Sequence, residues 1–174
     1  MAELQSYQME DNQKVAKKAS QDIENWLNSL EQTIEVLNVE ADPDYQRIDV
    51  DLLWQTETAN YQVEIKGDRK HATGNFFFET ISNNQRQTPG CFMYSEADLF
   101  FYYFVEIKML YIIPLTETRE WFIENMDDFR ERETSTPVGN GHYITVGRLV
   151  PIERVLAEVD GIYQYNLKKF FKQK

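Results

Sequence analysis

Cysteine and histidine are nearly absent from this 174-residue chain, which holds one cysteine, Cys91, and two histidines, His71 and His142. A single cysteine excludes an intrachain disulfide and a zinc site built on several thiolates. With two histidines added there are still too few nitrogen and sulfur ligands for a zinc or iron cluster. A metal would therefore draw on carboxylate, carbonyl and water oxygens, the set that suits magnesium or manganese. Basic residues are outnumbered too: 18 Lys and Arg stand against 29 Asp and Glu, a net charge of −11. That balance argues against a protein that coats nucleic acid non-specifically, because phosphate neutralisation needs clustered cations. Long apolar runs are missing. The longest, residues 99–105, is followed by Glu106 and Lys108, well short of the roughly 20 apolar residues that span a bilayer. The opening 30 residues mix acids and lysines with no continuous apolar stretch, so no secretory signal or transit peptide is expected and the expected location is cytoplasmic, off the membrane. Gly139-Asn140-Gly141 is too short to cradle a phosphate, and no Gly-x-Ser-x-Gly elbow is present.

What the chain does hold is a 42% hydrophobic composition, enough for one sizeable core in a single domain over residues 1–174. Residues 11–37 have helical periodicity, with Val15, Ala19, Ile23, Trp26, Leu27 and Leu30 on one face. Asp22 falls on that apolar face, and it either pairs with a lysine or aims at a metal. Strands are expected over 46–54 and 61–66, then at Asn75-Phe76-Phe77-Phe78-Glu79, with a loop over 82–90. Ser95 with Asp98 reads as the start of a helix over 96–104, followed by a buried strand over 106–114 and a helix over 118–131. Asn140-Gly141 marks a hairpin turn. The tail, 163–174, reads as a frayed amphipathic terminus.

Two runs carry chemistry. In Asp49-Val50-Asp51-Leu52-Leu53-Trp54, alternation puts Asp49 and Asp51 on one face, and in Glu64-Ile65-Lys66 it puts Glu64 and Lys66 together. Paired as a hairpin, the two strands would let Asp51 and Glu64 share a cation with Lys66 beside it. Basic residues cluster at Lys14, Lys17 and Lys18, at Lys66, Arg69, Lys70 and His71, and at Lys168, Lys169, Lys172 and Lys174. The middle cluster directly follows the acids. A second Glu-Ile-Lys, residues 106–108, lacks a preceding acidic strand and reads as a solvent-facing or cross-strand ion pair.

A helix, strands bearing an acid and a Glu-x-Lys, then a helix and a further strand is similar to the order in the PD-(D/E)xK, or restriction-endonuclease-like, nuclease superfamily. The proline-aspartate half of its motif is replaced here by Ile48-Asp49-Val50-Asp51. Val63-Glu64-Ile65-Lys66-Gly67-Asp68, Thr73-Gly74-Asn75-Phe76-Phe77-Phe78-Glu79 and Ser95-Glu96-Ala97-Asp98 follow one another as in a phage and bacterial branch. The resemblance covers about residues 11–115, leaving 116–174 as a C-terminal elaboration. It implies a restriction-endonuclease-like α/β fold, a central mixed β-sheet flanked by helices. It also implies a Mg2+- or Mn2+-dependent endonuclease acting on double-stranded DNA. Asp51, Glu64 and the Ile65 carbonyl would then ligate the metal, and Lys66 would orient the attacking water and offset charge on the phosphate. Asp51 is preferred to Asp49, which would bind a second ion or hold Lys66; Glu79 is either a further ligand or the exposed end of a strand. Arg69, Lys70 and His71 would face the DNA, and a homodimer would suit double-strand cutting. The alternative, favoured by the acidity, is a catalytically inactive member serving as a nucleic-acid- or protein-binding subunit.

Overall fold

Six consecutive apolar or aromatic residues, Leu99–Phe104, sit at the centre of the molecule. Phe100, Tyr102 and Phe104 are buried in one hydrophobic cluster, while Phe101 and Tyr103 are buried in another. A segment buried on both faces is an interior strand, so the helix expected over residues 96–104 does not form. Ser95, taken as its cap, instead donates to the Asp49 carbonyl at 2.7 Å.

The computed structural model describes residues 2–172, and among these the side chains of 11–136 and 139–172; Lys174 lies outside the described residues. In chain order the elements are α1 (Ala2–Leu27), β1 (Thr33–Asn38), α2 (Pro43–Gln46), β2 (Leu52–Thr56), β3 (Asn60–Asp68), β4 (Asn75–Asn83), β5 (Thr88–Pro89) and α3 (Cys91–Tyr94). There follow β6 (Leu99–Phe104), β7 (Met109–Pro114), α4 (Leu115–Asn125), β8 (Arg130–Val138), β9 (Gly141–Pro151), α5 (Ile152–Glu158), β10 (Tyr163–Asn166) and α6 (Lys168–Lys172). Six strands make a mixed sheet in the order β1-β2-β3-β6-β7-β10, in which only β3 and β6 run parallel. The others make an antiparallel sheet, β5-β4-β9-β8. The chain is therefore α/β, with a mixed sheet flanked by helices.

One face of the mixed sheet is covered by α1, whose Ala19, Ile23, Trp26 and Leu27 pack with Leu52, Val63, Phe101 and Leu110. The other is covered by the second sheet and α4 through Phe76, Phe78, Phe92 and Phe122. Each of these buried phenylalanines contributes roughly 1.5–3 kcal/mol of transfer free energy. Among the described residues no helix is long and apolar enough to cross a membrane.

Several boundaries differ from the sequence reading. The first helix stops at Leu27 rather than 37, because Thr33, Ile34 and Val36 belong to a β-branched edge strand paired with β2. The strand expected over 46–54 begins only at Leu52, since Asp49 adopts φ 55° and breaks the alternation. Val50 consequently packs in one core cluster while Leu52 and Trp54 pack in the other. The loop of 82–90 includes the end of β4 and its return strand β5. The second Glu-Ile-Lys lies in the tight turn between β6 and β7, with Lys108 at φ 53°. The helix expected over 118–131 runs instead from Leu115 to Asn125. The tail forms β10 against β7, then α6.

Candidate active site

β2 pairs with only the first part of β3, from Leu52↔Val63 to Gln55↔Asn60. Beyond Val63 the ladder continues in another form. Asp51 donates its N–H to the Val63 carbonyl at 2.9 Å, and its Oδ2 accepts the Ile65 N–H at 2.8 Å. One carboxylate oxygen of Asp51 thus stands in for a strand carbonyl. Ile65 itself packs toward α1, and Glu64 and Lys66 project from the opposite face.

Asp49 arrives by a different route. Its left-handed backbone, a conformation Asp tolerates better than most residues, turns the side chain into the same corner as Glu64. The segment is held there by Ser95 on the Asp49 carbonyl and by the Glu96 N–H on the Ile48 carbonyl, 2.9 Å. Tyr94 adds a side-chain hydrogen bond to the Asp49 carboxylate. The fourth wall is α3. Gly90 lies so close to β4 that a Cβ there would sit 2.4 Å from the Glu79 carbonyl oxygen, which explains glycine at that position. Cys91 is thereby placed beside Glu79, and Phe92 anchors it by stacking on Phe78 at 3.9 Å between centroids.

Asp49, Glu64 and Cys91 each offer a ligand atom within 4.8 Å of the others. Asp49 Oδ2 and Glu64 Oε2 are buried and accept no hydrogen bond, although Glu64 is only 7% exposed. Buried unpaired carboxylate oxygens are costly, and here two point into one space. Burial raises the Asp49 carboxyl to about 6, against the Tyr94 hydrogen bond. It raises Asp51 to about 6 as well, against the bond from Ile65. Glu64 is pushed well up by burial and then by Asp51 and Asp49. Among the described residues Lys66 is the one cation in the corner. Burial works against its charge, but Glu79, 2.5 Å from Nζ, outweighs that and holds the ammonium above the ordinary lysine value. Four carboxylates facing one already paired lysine fit a divalent cation bound by Asp49 and Glu64.

The site lies in a cleft of about 930 Å³ whose lining includes Glu64, Lys66, Glu79 and Cys91. Of the residues singled out from the sequence, Asp49, Asp51, Glu64, Lys66 and Glu79 converge. Arg69 and Lys70 also line the cleft, and Arg69 is paired with Asp11 at 2.5 Å. His71 is exposed with its ring edge-on to Phe104. Asp22 does not join them. On the α1 face of the sheet, its carboxylate accepts from Lys18 at 2.6 Å, Tyr103 at 2.9 Å and Lys108 at 3.1 Å. The lysine of the second Glu-Ile-Lys therefore serves this buried pair. Sequence reading missed Cys91 and Tyr94 as site residues, and no spacing pointed to them. Gly90 before Cys91 was the nearest signal of a close backbone approach.

Searches against family models, curated proteins and solved structures find no match to this chain, so the reading of the site stands on its own geometry.

Proposed function

We propose that this corner is the active site of a metal-dependent deoxyribonuclease of restriction-endonuclease-like fold, using Mg2+ or Mn2+. The observation that carries the reading is the pair of buried carboxylate oxygens, Asp49 Oδ2 and Glu64 Oε2, left without partners, with Glu64 opening beside Lys66 onto a cleft. The order of helix α1, an acid before β2, Glu-x-Lys on β3, the short helix α3 and the parallel strand β6 supports the fold assignment. Asp49 and Glu64 would hold the ion, and Asp51 would position the Ile65 backbone rather than ligate first. Bound there, the ion supplies Lewis acidity to a phosphate oxygen and lowers the pKa of water. Lys66, kept cationic by Glu79, is poised to stabilise negative charge growing on the phosphate.

The test is cleavage of linear, circular and branched DNA with Mg2+ or Mn2+, alongside Lys66→Ala and Asp49→Asn. Metal-dependent cutting lost in both variants is expected, and cutting that survives both overturns the proposal. A second reading, a non-catalytic binding subunit of the same fold, draws on the 2.5 Å Lys66–Glu79 pair and the Asp51–Ile65 bond, which occupy two motif residues structurally. It is favoured if DNA binds the protein and no metal elicits cutting.

A further inference from the structure

We propose that the cleft takes a single strand of nucleic acid, led beneath α1 and held against the open face of the β5-β4-β9-β8 sheet. The inference rests on the phosphodiesterase reading of the site and departs from the double-stranded substrate that the sequence resemblance implies. Its first support is the shape of the cleft. Residues 64–68 of β3 have β6 on one side and no β2 on the other, and the cleft runs along this free edge. α1 crosses above it. The helix packs so tightly on β3 that a Cβ at Gly67 would lie 2.9 Å from the Ala19 Cβ, and its Asp11 pairs with Arg69. It also meets β8, with Cα atoms within 8 Å. Walled by α1 on one side and the second sheet on the other, Glu64 is recessed to 7% exposure, a depth that holds off a broad, rigid duplex but that one flexible strand can reach.

The second support is the chemistry of the wall. Alternate residues of β8 face the cleft as Arg132, Thr134 and Thr136, and Tyr143 of β9 lies opposite Thr136. Hydroxyl groups and an aromatic ring along a basic trough are what a polynucleotide strand uses, the hydroxyls and cations for phosphates and the ring for a base. Arg132 and Arg86 make no ion pair among the described residues, and both line the cleft. Lys66 and Arg69 are held by Glu79 and Asp11, so the cations that the lining offers to a strand are Lys70, Arg86 and Arg132. On a chain whose net charge is −11, these few cations draw a strand to the cleft without giving tight binding elsewhere. A substrate of one strand also removes the need for a second active site, and so for a homodimer.

The experiment is fluorescence anisotropy with labelled oligo(dT), oligo(U) and a duplex of the same length, in chelator so that no bond is cut. At least one single strand is expected to bind about tenfold more tightly than the duplex. Tyr143→Ala should weaken that binding about tenfold, the scale of one lost base stack. Arg132→Ala should weaken it severalfold and lower the salt dependence by about 0.7 in log–log slope. Arg132 is exposed and makes no ion pair among the described residues, so its variant reports on binding rather than folding. Duplex binding equal to or better than single-strand binding, or single-strand binding unchanged in both variants, overturns the proposal. The nuclease reading fails separately, by absence of metal-dependent cutting while single-strand binding persists.

Discussion

Replacing Asp49 with asparagine should make the metal-free protein more stable, and only where Asp49 would be charged. Burial lifts its carboxyl from the usual 3.8 to about 6, although the Tyr94 hydrogen bond pulls the other way. Between those two values the folded state binds the proton more tightly than the unfolded chain does. Stability therefore falls as pH rises from about 4 to 6 and stays reduced above. At ~1.36 kcal/mol per pH unit the full penalty is roughly 3 kcal/mol at pH 8, about 1 kcal/mol at pH 4.5, and close to zero below pH 3. Asparagine keeps an acceptor for Tyr94 and turns the partnerless Oδ2 into a donor facing Glu64, so the gain at pH 8 should approach that figure. Some of it will be shared with Asp51 and Glu64, whose titrations are coupled to this one. Urea unfolding in chelator at pH 8 and pH 4.5 measures it through the midpoint shift at constant m. Mg2+ or Mn2+ should raise the wild-type midpoint and leave that of Asp49→Asn nearly unmoved. A variant that is destabilised equally at both pH values would refute the reasoning, because Asp49 would then matter for packing rather than for charge.

Other substitutions separate the site from its scaffold. Gly90→Ala forces a Cβ to 2.4 Å from the Glu79 backbone and should cost about 1–3 kcal/mol, visible as a lower melting temperature; an unchanged one would mean that α3 shifts freely. Asp22→Ala leaves Lys108 and Tyr103 without their carboxylate partner and should cost about 3 kcal/mol. Because Asp22 lies on the α1 face, the folded variant should cut DNA as the wild type does, and a selective loss of cutting would contradict that placement. Cobalt bound at the corner should show sulfur-to-metal absorption that disappears in Cys91→Ser, since Cys91 Sγ belongs to the three-atom cluster. An identical spectrum in the two proteins would remove Cys91 from the ligand set.

Which parts were legible from the chain follows from what sequence patterns encode. The hairpin of β2 and β3 was readable because Val63 and Ile65 alternate with Glu64 and Lys66, and strand periodicity is local. The β8–β9 hairpin was announced by Asn140-Gly141. The strand Leu99–Phe104 was misread because an unbroken apolar run carries no period, and Ser95 and Asp98 imitated a helix cap. Their partners are distant: Asp98 accepts the Gln62 N–H at 2.7 Å and Ser95 reaches Asp49. The alternation that puts Glu64 and Lys66 on one face was legible, whereas the positive φ that brings Asp49 to Glu64 was not, since periodicity assumes regular backbone. Cys91 lies beside Glu79 through the close approach of Gly90 to β4, and the two reach Glu64 and Lys66 only because the second sheet folds back onto β3, a tertiary event that no motif spacing records.

The arrangement of the corner is hard to account for as architecture. Asp51 has a structural task in closing the β2–β3 ladder, and a single buried acid accepting a backbone N–H is unexceptional. Asp49 and Glu64 are otherwise placed. Each brings an unpartnered oxygen into the same buried space, where burial works against the charge of both and Asp49 adds to the upward push on Glu64. An amide at either position would supply the missing donor and remove the repulsion at nearly constant volume, so a fold needing only stability would be improved by the simplest of substitutions. Active sites trade stability in this way, and the two oxygens become favourable only when a cation occupies the space between them. In the proposed site Asp49 thereby takes precedence over Asp51 as the ligand, the reverse of the order that the resemblance implies.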